Sequence, residues 1–321
     1  MSLPVVSILL PTFNRAKFLI KAIGSVQAQT FTDWELLVLD DGSTDETAQV
    51  VRKLTAADPR IRYFRFENTG CGPARVRGFN ASRGKYLAFL GDDDTFFPDK
   101  LERQMEWLEK NPDAGMVYSQ VAMTNPEGRV LEIWPPKPAL TFETLVRQNT
   151  IQPNGVLLRR RVMEEIGTFR DDMRSCDDFE MWLRVVRHFQ IGFLPMVAGN
   201  YLQHSGGMTR DSSRRVRSLM IIFRLLAKEK LSPGDRKALL ETAASYSYQR
   251  AEDAAEKGCI KEALARLAAR LRVNPCMGLH LPWSRYKNPV YRLIKPYGLL
   301  FILMLKTLYI RNFNHSSRVS L

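Results

Sequence analysis

The sequence predicts an α/β fold, with a mostly parallel sheet flanked by helices and a C-terminal helical region behind it. In the first 120 residues, short apolar runs alternate with amphipathic stretches. This alternation is typical of parallel strands that crossover helices cover on both faces. The expected strands are Val5–Leu10, Trp34–Leu39, Ile61–Phe66, Tyr86–Leu90 and Met116–Tyr118, and the expected helices cover about 16–28, 45–57, 73–82 and 98–110.

Polar residues follow four of these runs directly. The four segments are Pro11–Arg15, Asp40–Asp45, Glu67–Gly70 and Gly91–Asp94. In sheets of this kind ligands bind beyond the carboxyl ends of the strands, so these segments should meet. The sequence therefore predicts one shared polar site.

Three consecutive acids, Asp92, Asp93 and Asp94, follow the fourth run. Their mutual repulsion needs a cation or water to relieve it, and their oxygens suit Mg²⁺ or Mn²⁺. Capping of the helix near Pro98 would explain one of the three. A divalent ion here could neutralise a diphosphate leaving group, so we predict a metal and nucleotide site.

Other polar residues are candidates for the same site. Asp40 and Asp41 could accept hydrogen bonds from a base or ribose, whereas Asp45 suits helix capping. Arg75, at the end of a strand-to-helix stretch, could contact phosphate. His204, in a polar loop before two glycines, is either a metal or phosphate contact or a solvated side chain.

Asp177 and Asp178 open a helical pattern that continues to His188. Acids at this position are favoured by the helix dipole alone. The functional alternative is that one of them is a general base that deprotonates an acceptor hydroxyl.

Three blocks, Ser7–Arg15, Val38–Asp45 and Phe89–Asp94, resemble glycosyltransferase family 2 in residues and spacing. The resemblance covers about residues 3–210. It implies the GT-A fold and an inverting transferase that uses a nucleoside-diphosphate sugar, most often UDP-linked, with Mn²⁺ or Mg²⁺. Two positions depart from the family pattern: Gly91 replaces a common Asp and Val76 a common Asn.

The resemblance also assigns roles to individual residues. The catalytic base is expected to be Asp178, with Asp177 as the alternative. The metal ligands are expected to be Asp93, Asp94 and His204, and the nucleotide-sugar contacts Pro11, Thr12, Asn14, Arg15, Asp40, Asp41, Arg75 and Asp92.

Two other functions are compatible with the pattern. A sugar nucleotidyltransferase would need a glycine-rich, lysine-bearing loop after the first strand, and Pro11–Arg15 is not such a loop. A catalytically inactive sugar-nucleotide-binding scaffold would keep the fold, and only activity separates it from an enzyme.

The net charge of +13 is concentrated in the second part of the chain. Residues 1–199 carry 25 Lys and Arg against 26 Asp and Glu, whereas residues 200–321 carry 22 against 8. An anionic partner is expected there, either a membrane surface or an acidic lipid-linked substrate. No nucleic acid is expected, because no nucleic-acid-binding module accompanies the basic residues.

The four cysteines form no CxxC pair, which argues against a zinc or redox motif and fits a reduced, cytoplasmic compartment. The N-terminus lacks the charged region of a signal peptide and is interpreted as mature sequence. The acceptor is expected to be a saccharide or a lipid-linked molecule in cell-surface polysaccharide or glycolipid synthesis.

We expect a catalytic domain over residues 1–210, with a nucleotide-sugar half (1–120) and an acceptor half (120–210). Residues 211–280 should be helical, with a tetratricopeptide-like helix pair split near Lys257. In the basic tail, 281–321, the apolar run Leu299–Leu305 is too short to span a bilayer. We predict that the tail lies on the inner face of the cytoplasmic membrane; the alternative is a helix packed on the catalytic domain.

Overall fold

The computed structural model describes residues 3–135, 138, 141–173, 175–204, 206 and 212–256. It divides into two compact units, Met1–Asp235 and Arg236–Leu321. The strands of the described residues all lie in the first unit and form one nine-stranded sheet in the order β3-β2-β1-β4-β8-β6-β9-β5, with β7 paired to β6.

Four parallel strands form the first half of this sheet, as predicted. They are β1 (Val6–Thr12), β2 (Trp34–Asp40), β3 (Ile61–Arg65) and β4 (Tyr86–Phe89), joined by α1 (Ala16–Gln27), α2 (Thr47–Ala57) and α3 (Cys71–Ala81). Every residue of β2 is buried, which explains its continuous apolar pattern. α1 packs on the sheet through Leu19, Ala22, Ile23 and Val26, the spacing of one helix face.

The second half of the sheet is mixed, with both parallel and antiparallel pairs. It contains β5 (Thr95–Phe96), β6 (Ala114–Thr124), β7 (Val130–Trp134), β8 (Val156–Arg159) and β9 (Gln190–Leu202). β8 lies between β4 and β6 and is antiparallel to both, whereas β6 and β9 are parallel. The run Met116–Tyr118 therefore lies in β6, separated from the parallel strands by a strand that comes later in the chain.

The helices of this half are α4 (Lys100–Lys110), α5 (Phe142–Arg147), α6 (Arg160–Ile166), α7 (Asp177–His188) and α8 (Ser212–Ala227). α7 begins and ends where its pattern predicted. Trp182 of α7 and Phe169 of the segment before it pack edge-on against Phe89 of β4, with ring centroids 5.7 and 5.3 Å from it. These aromatic contacts attach the helix to the carboxyl end of β4.

α9 (Pro233–Glu256) is one helix, and the helix predicted to pair with it lies outside the described residues, as does the basic tail. Within the part of the chain that the structure describes, no helix is both long and apolar enough to cross a membrane. The boundary at residue 210 stays a prediction.

Candidate active site

The loops after β1 and β2 are held together by Asn14. Its side-chain Oδ1 accepts hydrogen bonds from the backbone N–H of Thr44 (2.7 Å) and Asp45 (3.3 Å). Its own N–H donates to Oγ of Ser43 at 2.9 Å. Asn14 has a φ of 55°, a left-handed conformation that Asn tolerates better than most residues. Asn14 thus orders the two loops that follow Pro11–Thr12 and Asp40–Asp41.

Asp40 and Asp41 are both buried, and both are engaged by the protein. Asp40 accepts hydrogen bonds from the N–H of Ser43 and from the hydroxyl of Tyr63, whose pKa is raised by burial and by this acid. Asp41 accepts from the N–H groups of Thr69 and Gly70, at 2.9 and 2.7 Å. These contacts fix the loop that leads into α3.

The acid triplet forms a turn between β4 and β5. Burial first and Asp93 second raise the pKa of Asp92 to about 7. The same two causes raise the pKa of Asp94 well above its ordinary value, although its carboxylate accepts from the N–H of Leu202 at 3.0 Å. A Cβ on Gly91 would lie 2.8 Å from Oδ2 of Asp94, so a side chain there would displace this carboxylate. Glycine at this departure from the family pattern leaves room for Asp94.

His204 and Arg15 are adjacent to the triplet. Nε2 of His204 is 2.9 Å from Oδ2 of Asp93, and the imidazole ring packs on Phe18 with centroids 5.1 Å apart. Arg15 donates to the carbonyl of Gly206 at 2.5 Å, and its charge lowers the pKa of Asp92 in part. The segment after β9 is thereby attached to the loop after β1.

Arg75 does not point a free charge at the site, because it forms a buried ion pair with Asp177. Asp177 raises the pKa of Arg75, against the opposing effect of burial. Asp178 is half-buried, and burial first and Asp177 second raise the pKa of its carboxyl group to about 6. A carboxyl group with this pKa can exchange a proton near neutral pH.

The thiol of Cys71 lies within the electrostatic field of both acidic groups. Burial raises the pKa of its thiol to about 12, and the charges of Asp92, Asp177 and Asp178 all add to this shift. The start of α3 packs closely on the segment before α7: a Cβ on Gly72 would lie 2.6 Å from the carbonyl oxygen of Arg170. The triplet and the Asp177–Asp178 pair thus share one neighbourhood around the first turn of α3.

The fit of a divalent ion can be tested on these contacts. No group of three or more metal-binding side chains comes together in the described residues. Asp93 and His204 do meet, through an oxygen and a nitrogen 2.9 Å apart. Two protein ligands suit an ion that takes its remaining ligands from water and substrate phosphates. The pair therefore fits such an ion, whereas the carboxylate of Asp94 already accepts a hydrogen bond from the backbone N–H of Leu202.

Sequence reasoning missed three contributors. Cys71 lies in the strand-to-helix stretch that contains Arg75, but it belongs to no motif. Phe18 of α1 lies three residues after Arg15, and residues at this spacing are neighbours on a helix surface. This spacing predicts the observed contact, in which the Arg15 guanidinium is 5.6 Å from the centre of the Phe18 ring. The N–H of Leu202 has no sequence signal, because any non-proline residue supplies one.

Comparisons with known proteins identify the family. The profile of glycosyl transferase family 2 matches residues 7–167. An uncharacterized glycosyltransferase of Rickettsia prowazekii is 31% identical over 198 residues, covering 59% of this chain and 61% of the relative. One of Rickettsia bellii is 32% identical over 197 residues, covering 59% of this chain but only 28% of the relative, so the chain spans about a quarter of that protein.

Solved structures are similar in fold at low sequence identity. S. aureus TarS in complex with UDP-GlcNAc superposes with a TM-score of 0.68 at 17% identity, covering 84% of this chain and 81% of that one. The mannosyltransferase PcManGT from Pyrobaculum calidifontis, in complex with GDP-Man and Mn²⁺, gives a TM-score of 0.59 at 18% identity and covers 92% and 86%. Because the family profile covers half of the chain, the chain belongs to glycosyltransferase family 2.

Proposed function

We propose that the chain transfers a sugar from a nucleoside-diphosphate sugar, with UDP as the nucleotide, to an acceptor hydroxyl with inversion at the anomeric carbon. The observation that carries the proposal is the shared neighbourhood of the acid triplet and Asp178 around Cys71. One group of acids can hold the donor while the other removes the acceptor proton.

The donor would lie across the carboxyl ends of β1, β2 and β4. Pro11, Thr12 and the loops ordered by Asn14 would border the nucleoside, and Asp92 the ribose. The charge of Arg15 acts on Asp92, and Arg15 would face the diphosphate. In this arrangement Asp40 and Asp41 act by fixing the loop backbone to which they are hydrogen-bonded. Arg75 acts through its ion pair with Asp177.

Mn²⁺ or Mg²⁺, held by Asp93 and His204, would supply positive charge to a departing diphosphate. Asp93 and His204 converge from β4 and from the end of β9, so their approach depends on the turn that Asp94 holds in place. This dependence gives Asp94 a positioning role.

Asp178 would accept the proton from the acceptor hydroxyl. As the acceptor oxygen forms a bond to the anomeric carbon, the bond from that carbon to the diphosphate oxygen breaks, and the electron pair leaves with the diphosphate. The ion pair with Arg75 keeps Asp177 in place beside Asp178 and fixes the first turn of α7. Positioning of the two reactants would supply much of the rate.

The acceptor would be a saccharide or a lipid-linked molecule, and the basic residues after 199 support an anionic surface or substrate. We assign this enzyme to polysaccharide or glycolipid synthesis on that basis, with the tail at the cytoplasmic membrane surface. Flotation with anionic vesicles of the full chain and of a chain ending at residue 280 tests this location. Equal recovery of the two would contradict it.

The donor is tested by thermal-shift titration of UDP, GDP and dTDP, each with and without Mn²⁺. We expect stabilisation by UDP that increases with the metal ion. Stabilisation by GDP or dTDP alone would change the nucleotide, and no stabilisation by any of the three would contradict the proposed donor site.

Inversion is tested separately by proton NMR of slow donor hydrolysis, with water as the acceptor. An α-linked donor should first release the β-anomer of the sugar. Release of the α-anomer would show retention and exclude direct displacement.

A further inference from the structure

A basic cavity lies at the end of the sheet opposite the candidate active site. It has a volume of about 310 Å³ and is lined by Lys85, Arg159, Arg160, Arg161 and Glu164. Lys85 immediately precedes β4, and Arg159 pairs with the first residue of that strand. The cavity therefore borders the amino end of β4, whereas the acid triplet follows its carboxyl end.

The positive charge of this cavity is not shared by the rest of residues 1–199. Residues 1–199 have slightly more acids than bases, yet four cations line this cavity with one acid, Glu164, and Lys85 alone of the four has an ion pair in the described residues, an exposed one with Glu109 at 3.8 Å. Within the described residues, Arg159, Arg160 and Arg161 donate their hydrogen bonds to backbone carbonyls and hydroxyl groups, and no carboxylate forms an ion pair with them.

The arginines are held in place but keep unused donors. All three nitrogens of the Arg159 guanidinium donate hydrogen bonds, so this side chain forms a fixed wall. Arg160 uses Nε and one Nη, each at 2.6 Å, and Arg161 uses a single Nη at 3.0 Å. Among the described residues, Nη1 of Arg160 and both Nε and Nη1 of Arg161 have no acceptor.

Burial outweighs the nearby acids in its effect on the pKa of Arg160. Burial lowers the pKa of its guanidinium, and the attraction of Glu164 and Glu35 does not reverse the shift. Glu35 is already held by Arg62 and Arg83, with N–O distances of 2.7 and 3.0 Å. An additional anion at the cavity would supply the missing negative charge.

We propose that the cavity binds a phosphate group, carried either by an anionic lipid headgroup or by a free phosphate compound, at a site separate from the donor site. Guanidinium groups present parallel N–H donors that match phosphate oxygens, and fixed side chains lose little freedom when they bind. A site on the opposite end of β4 leaves the carboxyl edge open for the donor.

The test uses the full chain and a double variant, Lys85→Gln with Arg161→Gln, which removes two cavity charges at exposed side chains. The matched control is Lys21→Gln with Lys53→Gln, which removes two exposed charges on α1 and α2. Pyrophosphate is the free probe, followed by hydrogen–deuterium exchange of the peptides that cover residues 82–86 and 157–164. Peptides from residues 90–96 report the donor site in the same experiment.

Vesicles provide the second probe. Flotation compares phosphatidylglycerol with phosphatidylcholine vesicles for the wild type, the double variant and the control. Loss of a charge-assisted hydrogen bond should weaken binding by about tenfold or more.

Slower exchange at 157–164 with pyrophosphate, in the wild type and the control but not in the double variant, would support a free phosphate compound as ligand. Weaker recovery of the double variant than of the control on phosphatidylglycerol would support a lipid headgroup. If neither probe separates the double variant from the control, the proposal is overturned.

Discussion

The two halves of the sheet differ in how they hold the candidate site. In the first half, local turns fix the polar residues: Asn14 orders the loops after β1 and β2, and the triplet follows β4 directly. In the second half, Asp178 and His204 come from elements more than 80 residues beyond β4. The donor half is therefore built by nearby sequence, whereas the reactive partners are brought to it by tertiary contacts.

Three contacts across long sequence distances join the halves. Arg75 pairs with Asp177, Leu202 donates to Asp94, and Arg15 donates to Gly206. They connect α3 and the loops after β1 and β4 to α7 or to the segment at the end of β9. This comparison predicts that some substitutions impair proton removal without impairing donor binding. It also predicts that substitutions at the three contacts impair both.

The largest expected effect is that of Asp178→Asn. If this residue is the base, transfer should fall by about 10²- to 10⁴-fold, since the amide cannot accept the acceptor proton. Donor affinity should remain, because the donor half is intact. Initial rates of donor consumption together with UDP affinity measure both quantities.

Asp171→Asn is the matched control, because Asp171 is exposed and lies seven residues earlier. It should leave transfer unchanged. Full activity of Asp178→Asn would move the base to Asp177 or elsewhere.

The next effect is on stability. Asp177→Asn leaves the buried guanidinium of Arg75 without its ion-pair partner, and breaking such a pair should lower the free energy of unfolding by about 3–5 kcal/mol. Asp99→Asn breaks an exposed pair with Arg103 and should change it by less than about 1 kcal/mol. Urea denaturation measures both, and equal effects would show that the Arg75 contact does not hold the halves together.

The third effect is on pH dependence. Because burial and Asp177 raise the pKa of Asp178 to about 6, the base should be protonated below that pH. The value of kcat/KM should fall about tenfold per pH unit below 6.

In the Asp177→Asn variant the same midpoint should move to lower pH, since the acid that raises the pKa of Asp178 is gone and Arg75 remains to lower it. A profile that is flat from pH 5 to 8 in the wild type, or a midpoint that rises in the variant, would contradict the assignment.

The smallest effect concerns Lys100, a fully buried residue of the second half. It donates to Gln104 and to the carbonyl of Val156, and burial lowers its pKa from 10.5 to about 7. Between pH 7 and 10.5 the unfolded chain therefore binds the proton more tightly than the folded one. Stability should rise with pH in this window by roughly 1 kcal/mol per unit, whereas below pH 7 Lys100 is protonated in both states and adds no slope.

Lys100→Met should lose this slope, and the exposed Lys53→Met should keep it. Urea denaturation from pH 7 to 9.5 compares the slopes. Equal slopes in the wild type and Lys100→Met would show that Lys100 remains charged in the folded protein.

The first half could be predicted from sequence because its signals are local. The run Trp34–Asp40 is mostly apolar and fully buried, and polar residues follow each of the four parallel strands within three residues. The order of β4, β8 and β6 could not be predicted, because the pairing of β8 depends on contacts over 40 to 70 residues. Short strands within loosely patterned sequence carry no information about their neighbours.

The candidate site was predictable in composition but not in geometry. The acids at 92–94 and 177–178 were recognised from sequence, yet the pairing of Arg75 with Asp177 was not, and Arg75 was expected to contact phosphate. A guanidinium near several acids can pair with any of them, and its partner is the acid that the fold buries beside it. The packing of Gly72 against the carbonyl of Arg170, which brings the segments together, is likewise a tertiary feature.

The central claim is that the triplet binds the donor while α7 supplies the base. Calorimetric titration of UDP with and without Mn²⁺ into the wild type, Asp93→Ala and Asp178→Asn tests it most directly. We predict that Asp178→Asn binds UDP as the wild type does and that Asp93→Ala loses the metal-dependent part of the affinity. Metal-dependent binding that persists in Asp93→Ala, or that disappears in Asp178→Asn, would contradict this division of the site.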